Sequence, residues 1–251
     1  MNQTVKKLLG GLVISCQAYE NTPLYGPDNM KRMAECAIMG GADGLRACWP
    51  QDIRAIRSVT GLPIIGINKK FGGDDPLDEI FITPTLESAA EVIEAGADVV
   101  AIDCTIRPRR GFDALCELLS RVKGRFPEIP IMADLATLEE AKLVAGTGLV
   151  DIISSTLSGY TRQSLGRLTE GPDLEIIRQL AGAVPVPVNG EGRIWELAEL
   201  RSVIEAGADM VTIGTAVTRP HLIAGRFTRF NRIYRETRSG PARFAKEGEL
   251  Q

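Results

Sequence analysis

Apolar and β-branched residues gather in eight short runs, at 11–16, 44–47, 63–67, 99–102, 130–133, 150–154, 186–188 and 210–213. Runs this short and this rich in Val and Ile predict buried strands. Between them the polar and apolar positions switch to helical spacing, and the switch points carry boundary signals. Pro27, Pro50 and Pro172 stand where a first helical turn would begin, and Thr137-Leu138-Glu139-Glu140 has the form of a capping box. Gly40-Gly41, Gly96, Gly146 and Gly207 precede the next apolar run and read as helix stops. Eight strand–helix alternations with no linker or composition break predict an α/β protein. The expected architecture is a single (β/α)8 TIM barrel over residues 1–251, with 239–251 as a C-terminal tail. An open doubly wound sheet is the alternative.

One heptapeptide occurs twice. Val92-Ile93-Glu94-Ala95-Gly96-Ala97-Asp98 returns letter for letter as Val203-Ile204-Glu205-Ala206-Gly207-Ala208-Asp209, leading into the fourth and eighth strands. Half-barrel duplication and a shared local device, a helix stop feeding a buried strand, both explain it. Arg226, Arg229, Arg232 and Arg235 share one side of the last helix, with Phe227, Phe230 and Tyr234 as a second stripe. The aromatic stripe is expected to face the core and the arginines water.

Composition narrows the chemistry. The chain has 251 residues, 44% apolar and 24% charged, with a net charge of −3, which gives no argument for nucleic acid. No apolar run approaches the ~18 residues of a membrane span, and the first residues lack the pattern of an export signal. Five cysteines, Cys16, Cys36, Cys48, Cys104 and Cys116, show no CxxC pairing, so reduced thiols in a cytoplasm are expected. His221 is the sole histidine, which removes His-based triads and multi-His metal sites. No metal site and no cofactor are expected, because neither a ligand cluster nor a GxGxxG fingerprint after a first strand is present.

Barrel active sites lie at the C-terminal ends of the strands. Those ends carry Gln17, Arg46, Lys69-Lys70, Asp103, Asp134, Ser158-Gly159-Tyr160, Glu191 and Gly214-Thr215. The seventh run leads into Asn189-Gly190-Glu191-Gly192-Arg193 and then a helical pattern from Ile194, which places a carboxylate beside glycines that would cradle an anion at a helix N-terminus. Gly192, Arg193, Gly214 and Thr215 fall in the loops that usually hold phosphate in such barrels, although glycines there also make ordinary tight turns. The third and seventh strands oppose each other in an eight-fold ring. A lysine and Glu191 facing each other across the mouth suit removal of a proton from one face of a carbon and its return to the other. Strand alternation lets only one of Lys69 and Lys70 face the axis, and a solvated loop lysine is the bland alternative. Glu191 has its own, a carboxylate that complements a helix dipole.

An ordered set of motifs runs along nearly the whole chain: Ser15-Cys16-Gln17-Ala18, Gly44-Leu45-Arg46-Ala47, Ile82-Thr83-Pro84-Thr85, Ser155-Thr156-Leu157-Ser158-Gly159-Tyr160-Thr161, Glu191-Gly192-Arg193 and Thr218-Arg219-Pro220. Together they resemble the N-acylmannosamine-6-phosphate 2-epimerase family. The resemblance implies cofactor-independent epimerisation at C2 of N-acetylmannosamine 6-phosphate, in the breakdown of amino sugars derived from sialic acid. It implies Lys69 as base, Glu191 as acid, Gln17, Arg46, Asp134 and Arg219 as substrate contacts, and a homodimer. The chain departs from the family pattern at Cys48-Trp49, Asn68, Lys70, Asn189-Gly190 and the acidic loop 71–79. Two other functions fit the same residues: an aldolase in which Lys69 forms a Schiff base with a phosphosugar, and a phosphosugar-binding protein without catalysis.

Overall fold

The computed structural model describes residues 1–72, 75 and 77–237. Residues 239–251, expected as a tail, lie outside the described residues. In chain order the elements are α1 (Gln3–Leu8), β1 (Leu12–Cys16), α2 (Pro27–Met39), β2 (Gly44–Cys48), α3 (Pro50–Arg57), β3 (Ile64–Ile67), α4 (Leu86–Glu94) and β4 (Val99–Asp103). They continue with α5 (Phe112–Arg125), β5 (Ile131–Asp134), α6 (Leu138–Gly146), β6 (Ile152–Ser154), α7 (Leu174–Ala183), β7 (Val188–Glu191), α8 (Leu197–Glu205), β8 (Met210–Ile213), α9 (Thr215–Thr218) and α10 (Pro220–Thr237). The strands are all parallel and pair in sequence order, and β1 closes on β8 through Leu12↔Val211, Val13↔Thr212 and Ile14↔Ile213. The doubly wound alternative is thereby excluded.

Alternation along each strand sorts the core into two layers. Val13, Ile65, Ile67, Val99, Ala101, Met132, Ile152 and Met210 fill the barrel interior, and Val5 and Leu8 of α1 join that cluster. The opposite set, including Ile14, Leu45, Ile64, Val100, Ile102, Ile131, Ala133 and Ile153, packs under the helices. Most of these side chains are fully buried, and each contributes about 1.5–3 kcal/mol of apolar burial. The interior packing ends where polar side chains take over at the C-terminal rim, which is where the site forms.

The repeated heptapeptide has a physical explanation. In both copies the helix ends at an alanine, Ala95 or Ala206, and the next glycine turns the chain at positive φ, 110° at Gly96 and 103° at Gly207. The aspartate closing each copy accepts a hydrogen bond from the first amide of the preceding strand, Asp98 from Ile64 N–H (2.9 Å) and Asp209 from Val188 N–H (2.8 Å). Asp43 does the same for Leu12 N–H (2.8 Å) and Asp151 for Ile131 N–H (2.9 Å). Every odd strand is thus started by a carboxylate from the segment before the next even strand. The motif is a local device used four times around the barrel base, and two of its uses happen to share seven letters.

Two expectations need correction. Pro27 and Pro50 do open helices, whereas Pro172 precedes the N-cap of α7, Asp173, whose side chain accepts from Ile176 N–H. Gly146 is the last residue of α6, as expected, and the positive φ behind it, 68°, falls on Gly148. The aromatic stripe of the last helix does not face its own barrel. None of the residues of α10 is buried, and Phe227 and Phe230 are each 70% exposed.

Candidate active site

Glu191 ends β7, and the structure explains how a carboxylate is held there half-buried. Its neighbour Asn189 points into the barrel, fully buried, and donates to Ser154 Oγ (2.7 Å) and Glu191 Oε2 (3.3 Å) while accepting from Thr212 (2.9 Å). Gly190 faces the opposite way, where a Cβ would come within 2.4 Å of Val203 Cγ1, so α8 packs directly onto the strand. The Ser155 hydroxyl takes the Glu191 amide proton and returns a bond to its carbonyl, both at 3.0 Å. Asn189-Gly190 is therefore the pair that positions the glutamate.

Beneath Glu191 lies a buried charge cluster. Arg46 of β2, 1% exposed, donates through Nη1 to Glu191 Oε2 (2.8 Å) and Asp134 Oδ1 (3.1 Å), and through Nη2 to Asp134 Oδ2 (2.5 Å). Thr156 donates to Asp134 Oδ1 (2.7 Å) and lies 3.2 Å from Glu191 Oε2. One cation thus faces two carboxylates. Burial holds the Glu191 carboxyl above its ordinary range, Asp134 adds to this, and Arg46 and Lys69 oppose it. Burial alone would weaken the Arg46 charge, but the two carboxylates hold its proton more tightly than usual. Arg46 and Asp134 were expected to reach the sugar. Both side chains are buried and outside the cavity lining, Arg46 bonded to Asp134 and Glu191, and Asp134 to Arg46 and Thr156.

Above the cluster opens a cavity of about 890 Å³ at the C-terminal mouth. Its lining includes Gln17, Lys69, Glu191, Gly192, Arg193, Gly214, Thr215 and Arg219, which gathers most of the sequence-derived candidates in one place. Lys69 follows β3, turned inward by an antiparallel bridge to Ile82, while Lys70 points out to Glu91 (3.3 Å). The Gln17 amide donates to Ser15 Oγ (2.8 Å), and its buried Oε1 has no partner among the described residues, so it is an acceptor available to a ligand hydroxyl.

Arg193 behaves differently from its expected role. The residue sits at φ of 58°, and its guanidinium donates to the carbonyls of Ser158 (2.8 Å), Gly171 (2.9 Å) and Arg167 (3.5 Å). Its side chain pins the loop after β6, and Tyr160 of that loop packs beneath it. The helix expected to start at Ile194 starts at Leu197. The two amides just before it, Trp195 N–H and the N-cap Glu196 N–H, are taken by the Glu199 carboxylate at 2.6 and 3.0 Å. Asp103 lies outside the cavity: burial raises its proton affinity, and Arg107 and Arg110 hold it. Arg107 passes on to the Leu77 and Glu79 carbonyls, which ties residues 77–79 to the end of β4.

Sequence reasoning missed Tyr19 and Trp49. The Tyr19 hydroxyl is 2.8 Å from Lys69 Nζ, and the Arg219 guanidinium sits 4.9 Å above its ring. Burial works against ionisation of this phenol, but the two cations win and lower its pKa. Trp49 donates from its indole to the Lys69 carbonyl (3.0 Å), fixing the backbone of the lysine. The sequence signals were position, just beyond the ends of β1 and β2, and for Trp49 the departure from the family pattern at Cys48-Trp49. Cys16 and Cys48 lie nearby, and burial pushes their thiols up to about 12 and about 11, so neither is a nucleophile at neutral pH.

Among the described residues no group of three or more His, Cys, Asp or Glu side chains is placed to hold a metal ion, and no helix is long and apolar enough to cross a membrane. Lys69, which follows β3, and Glu191, whose carboxyl group has a raised pKa at the end of β7, line one cavity.

Comparison with known proteins finds relatives that span most of the chain. A putative N-acetylmannosamine-6-phosphate 2-epimerase from Caldanaerobacter subterraneus subsp. tengcongensis is 46% identical over 227 residues, covering 90% of this chain and 93% of the relative. One of the same description from Listeria monocytogenes is 40% identical, covering 90% and 94%. The solved N-acetylmannosamine-6-phosphate 2-epimerase from Clostridium perfringens superposes with a TM-score of 0.82 at 36% identity, over 91% of this chain and 96% of that one. An aldolase, QR15, shares the fold alone, with a TM-score of 0.60 at 19% identity. Residues 30–232 match the NanE profile, "Putative N-acetylmannosamine-6-phosphate epimerase", and the chain belongs to that family.

Proposed function

We propose that the chain interconverts N-acetylmannosamine 6-phosphate and N-acetylglucosamine 6-phosphate without a cofactor, in amino-sugar breakdown. The observation that carries the reading is the placement of Lys69 and Glu191 on one cavity, with Glu191 held in a protonatable state by burial and by Asp134. The sugar reacts in its open form, whose C1 aldehyde acidifies the proton on C2. Lys69 removes that proton as its amine, and the electron pair moves through C1=C2 onto O1 as an enolate. Glu191 then delivers a proton to C2 from the opposite face, and the roles exchange in reverse. Arg219 and the Gln17 amide carbonyl engage the sugar's oxygens. The backbone at Gly192, Arg193, Gly214 and Thr215 receives the phosphate. Arg46 and Asp134 act through Glu191.

The exposed apolar stripe of α10 supports a homodimer in which Phe227 and Phe230 are covered by a second copy. Five free cysteines, three of them buried, fit a reducing cytoplasm.

A time course in D2O followed by NMR tests the reaction. Wild type should form the epimer with deuterium at C2, and Lys69→Ala and Glu191→Gln should each lose about 10²–10⁴-fold in rate. Neither exchange nor epimer in wild type would overturn the reading. A borohydride-trapped adduct at Lys69 would replace it with Schiff-base chemistry.

A further inference from the structure

The residues around Lys69 are apolar to a degree that proton transfer does not require. The bridge to Ile82 and the hydrogen bond from Lys70 N–H to the Phe81 carbonyl (2.9 Å) place Phe81 and Ile82 on the flank of the lysine. Phe71 stacks on Phe81, with ring centroids 5.6 Å apart and planes at 22°, and meets Tyr19 edge-on at 6.1 Å. All four side chains line the same cavity as Lys69. Phe71 remains 58% exposed, so the wall presents an aromatic face that is left largely open among the described residues.

The chemistry of the substrate fixes what comes to rest there. In a 2-acylamino sugar, the acyl group hangs from the nitrogen on C2, the carbon whose proton Lys69 removes. A substrate placed for that transfer must put its acyl chain within a few bonds of the lysine, against the side chains beside it. On this wall the Tyr19 hydroxyl is taken by Lys69 and Arg219 lies over the Tyr19 ring, so Phe71, Phe81 and Ile82 are its apolar part. The cavity of about 890 Å³ is also near the top of the ~300–1,000 Å³ that drug-sized ligands occupy, and a phosphorylated acetamido sugar is smaller than these.

We propose that Tyr19, Phe71, Phe81 and Ile82 form a seat for an apolar N-acyl chain longer than acetyl, so that the enzyme prefers N-acylmannosamine 6-phosphates with aliphatic acyl groups. The proposal rests on the epimerase reading and narrows its substrate class. A fully buried methylene is worth about fourfold in affinity, which sets a ceiling of roughly 15-fold for the two that separate butanoyl from acetyl.

The experiment compares kcat/KM for N-butanoyl- and N-acetylmannosamine 6-phosphate in wild type, Phe71→Ala and Phe81→Ala. The ratio of the two sugars within each protein cancels losses from folding or from general damage to the site. The expected wild-type ratio is above one, falling at least threefold in both variants. A wild-type ratio below one, or one that neither variant lowers by that much, overturns the acyl seat while leaving the epimerase reading intact. If neither sugar is turned over by wild type, the epimerase reading falls and the seat falls with it.

Discussion

Replacing Asp134 by Asn separates the electrostatic role of the buried cluster from its shape. Asn keeps the size of the side chain and an acceptor for Arg46 and Thr156, but removes one of the two carboxylates that share the guanidinium. Oxygens of Asp134 and Glu191 both contact Arg46 Nη1, so they lie no more than about 6 Å apart, where two unit charges interact by roughly 3 kcal/mol at an effective dielectric constant of ~20. Glu191 would then face Arg46 with no competing anion. Its carboxylate form gains, and the fraction able to donate a proton at neutral pH falls. The sign follows from the present state. Asp134 helps to raise the Glu191 pKa, so its removal lowers that pKa and moves the alkaline limb of kcat/KM for the direction in which Glu191 acts as acid towards lower pH. Stability changes less than for a fully broken ion pair. Arg46 keeps Glu191, so the loss should stay at or below the ~3 kcal/mol at the lower end for such lesions. The assay is the pH profile of C2 deuterium incorporation, with thermal unfolding as the check that the barrel is intact. A folded Asp134→Asn protein with the wild-type alkaline limb would refute the electrostatic reasoning.

Other consequences are simpler. Tyr19→Phe preserves the aromatic wall but removes the hydroxyl 2.8 Å from Lys69 Nζ, so kcat should fall about 10-fold with less change in KM, as a misdirected base would cause. Steady-state kinetics with both values within twofold of wild type would show that the contact is idle. Asp52 of α3 is buried with neither carboxylate oxygen bonded among the described residues, and burial pushes its pKa up to about 6. A raised acid pKa means that the fold holds the proton better than the unfolded chain, so this residue's favourable contribution fades as pH rises through about 6. Asp52→Asn, which mimics the protonated form, should raise Tm at pH 8 by about 2–4 °C per kcal/mol relieved and leave it unchanged at pH 4. Equal effects at both pH values would rule out titration as the cause. Phe230→Glu on α10 should convert a dimer to a monomer by sedimentation, and a monomeric wild type would refute the homodimer.

How far the molecule was legible in its sequence depended on whether one residue's neighbours were enough to fix its role. Strands and barrel order were legible because each apolar run demands burial on its own, and eight such runs admit few closed arrangements. Alternation, a two-residue rule, said that only one of Lys69 and Lys70 faces inward, and the choice of Lys69 came from the register of the family motifs. The aromatic stripe of α10 failed this test. An apolar helical face states that something must cover it, but not whether the cover is its own barrel or another chain, and none of its residues is buried here. Arg193 failed for a related reason. A guanidinium beside glycines suits a phosphate, but equally suits backbone carbonyls, and the loop after β6 supplies three. Tyr19 and Trp49 carry no period and no motif, because their contacts join loops that are distant in the chain. Arg46 and Asp134 were visible as charged residues at strand ends, where substrate contact is the ordinary inference. Only the three-dimensional register shows that a cation on β2 reaches carboxylates on β5 and β7 at once. That arrangement also explains why a buried ion cluster persists where apolar packing would be at least as stable. It gives Glu191 a neighbour that keeps it in place and a second that keeps its proton within reach, and no apolar side chain does either.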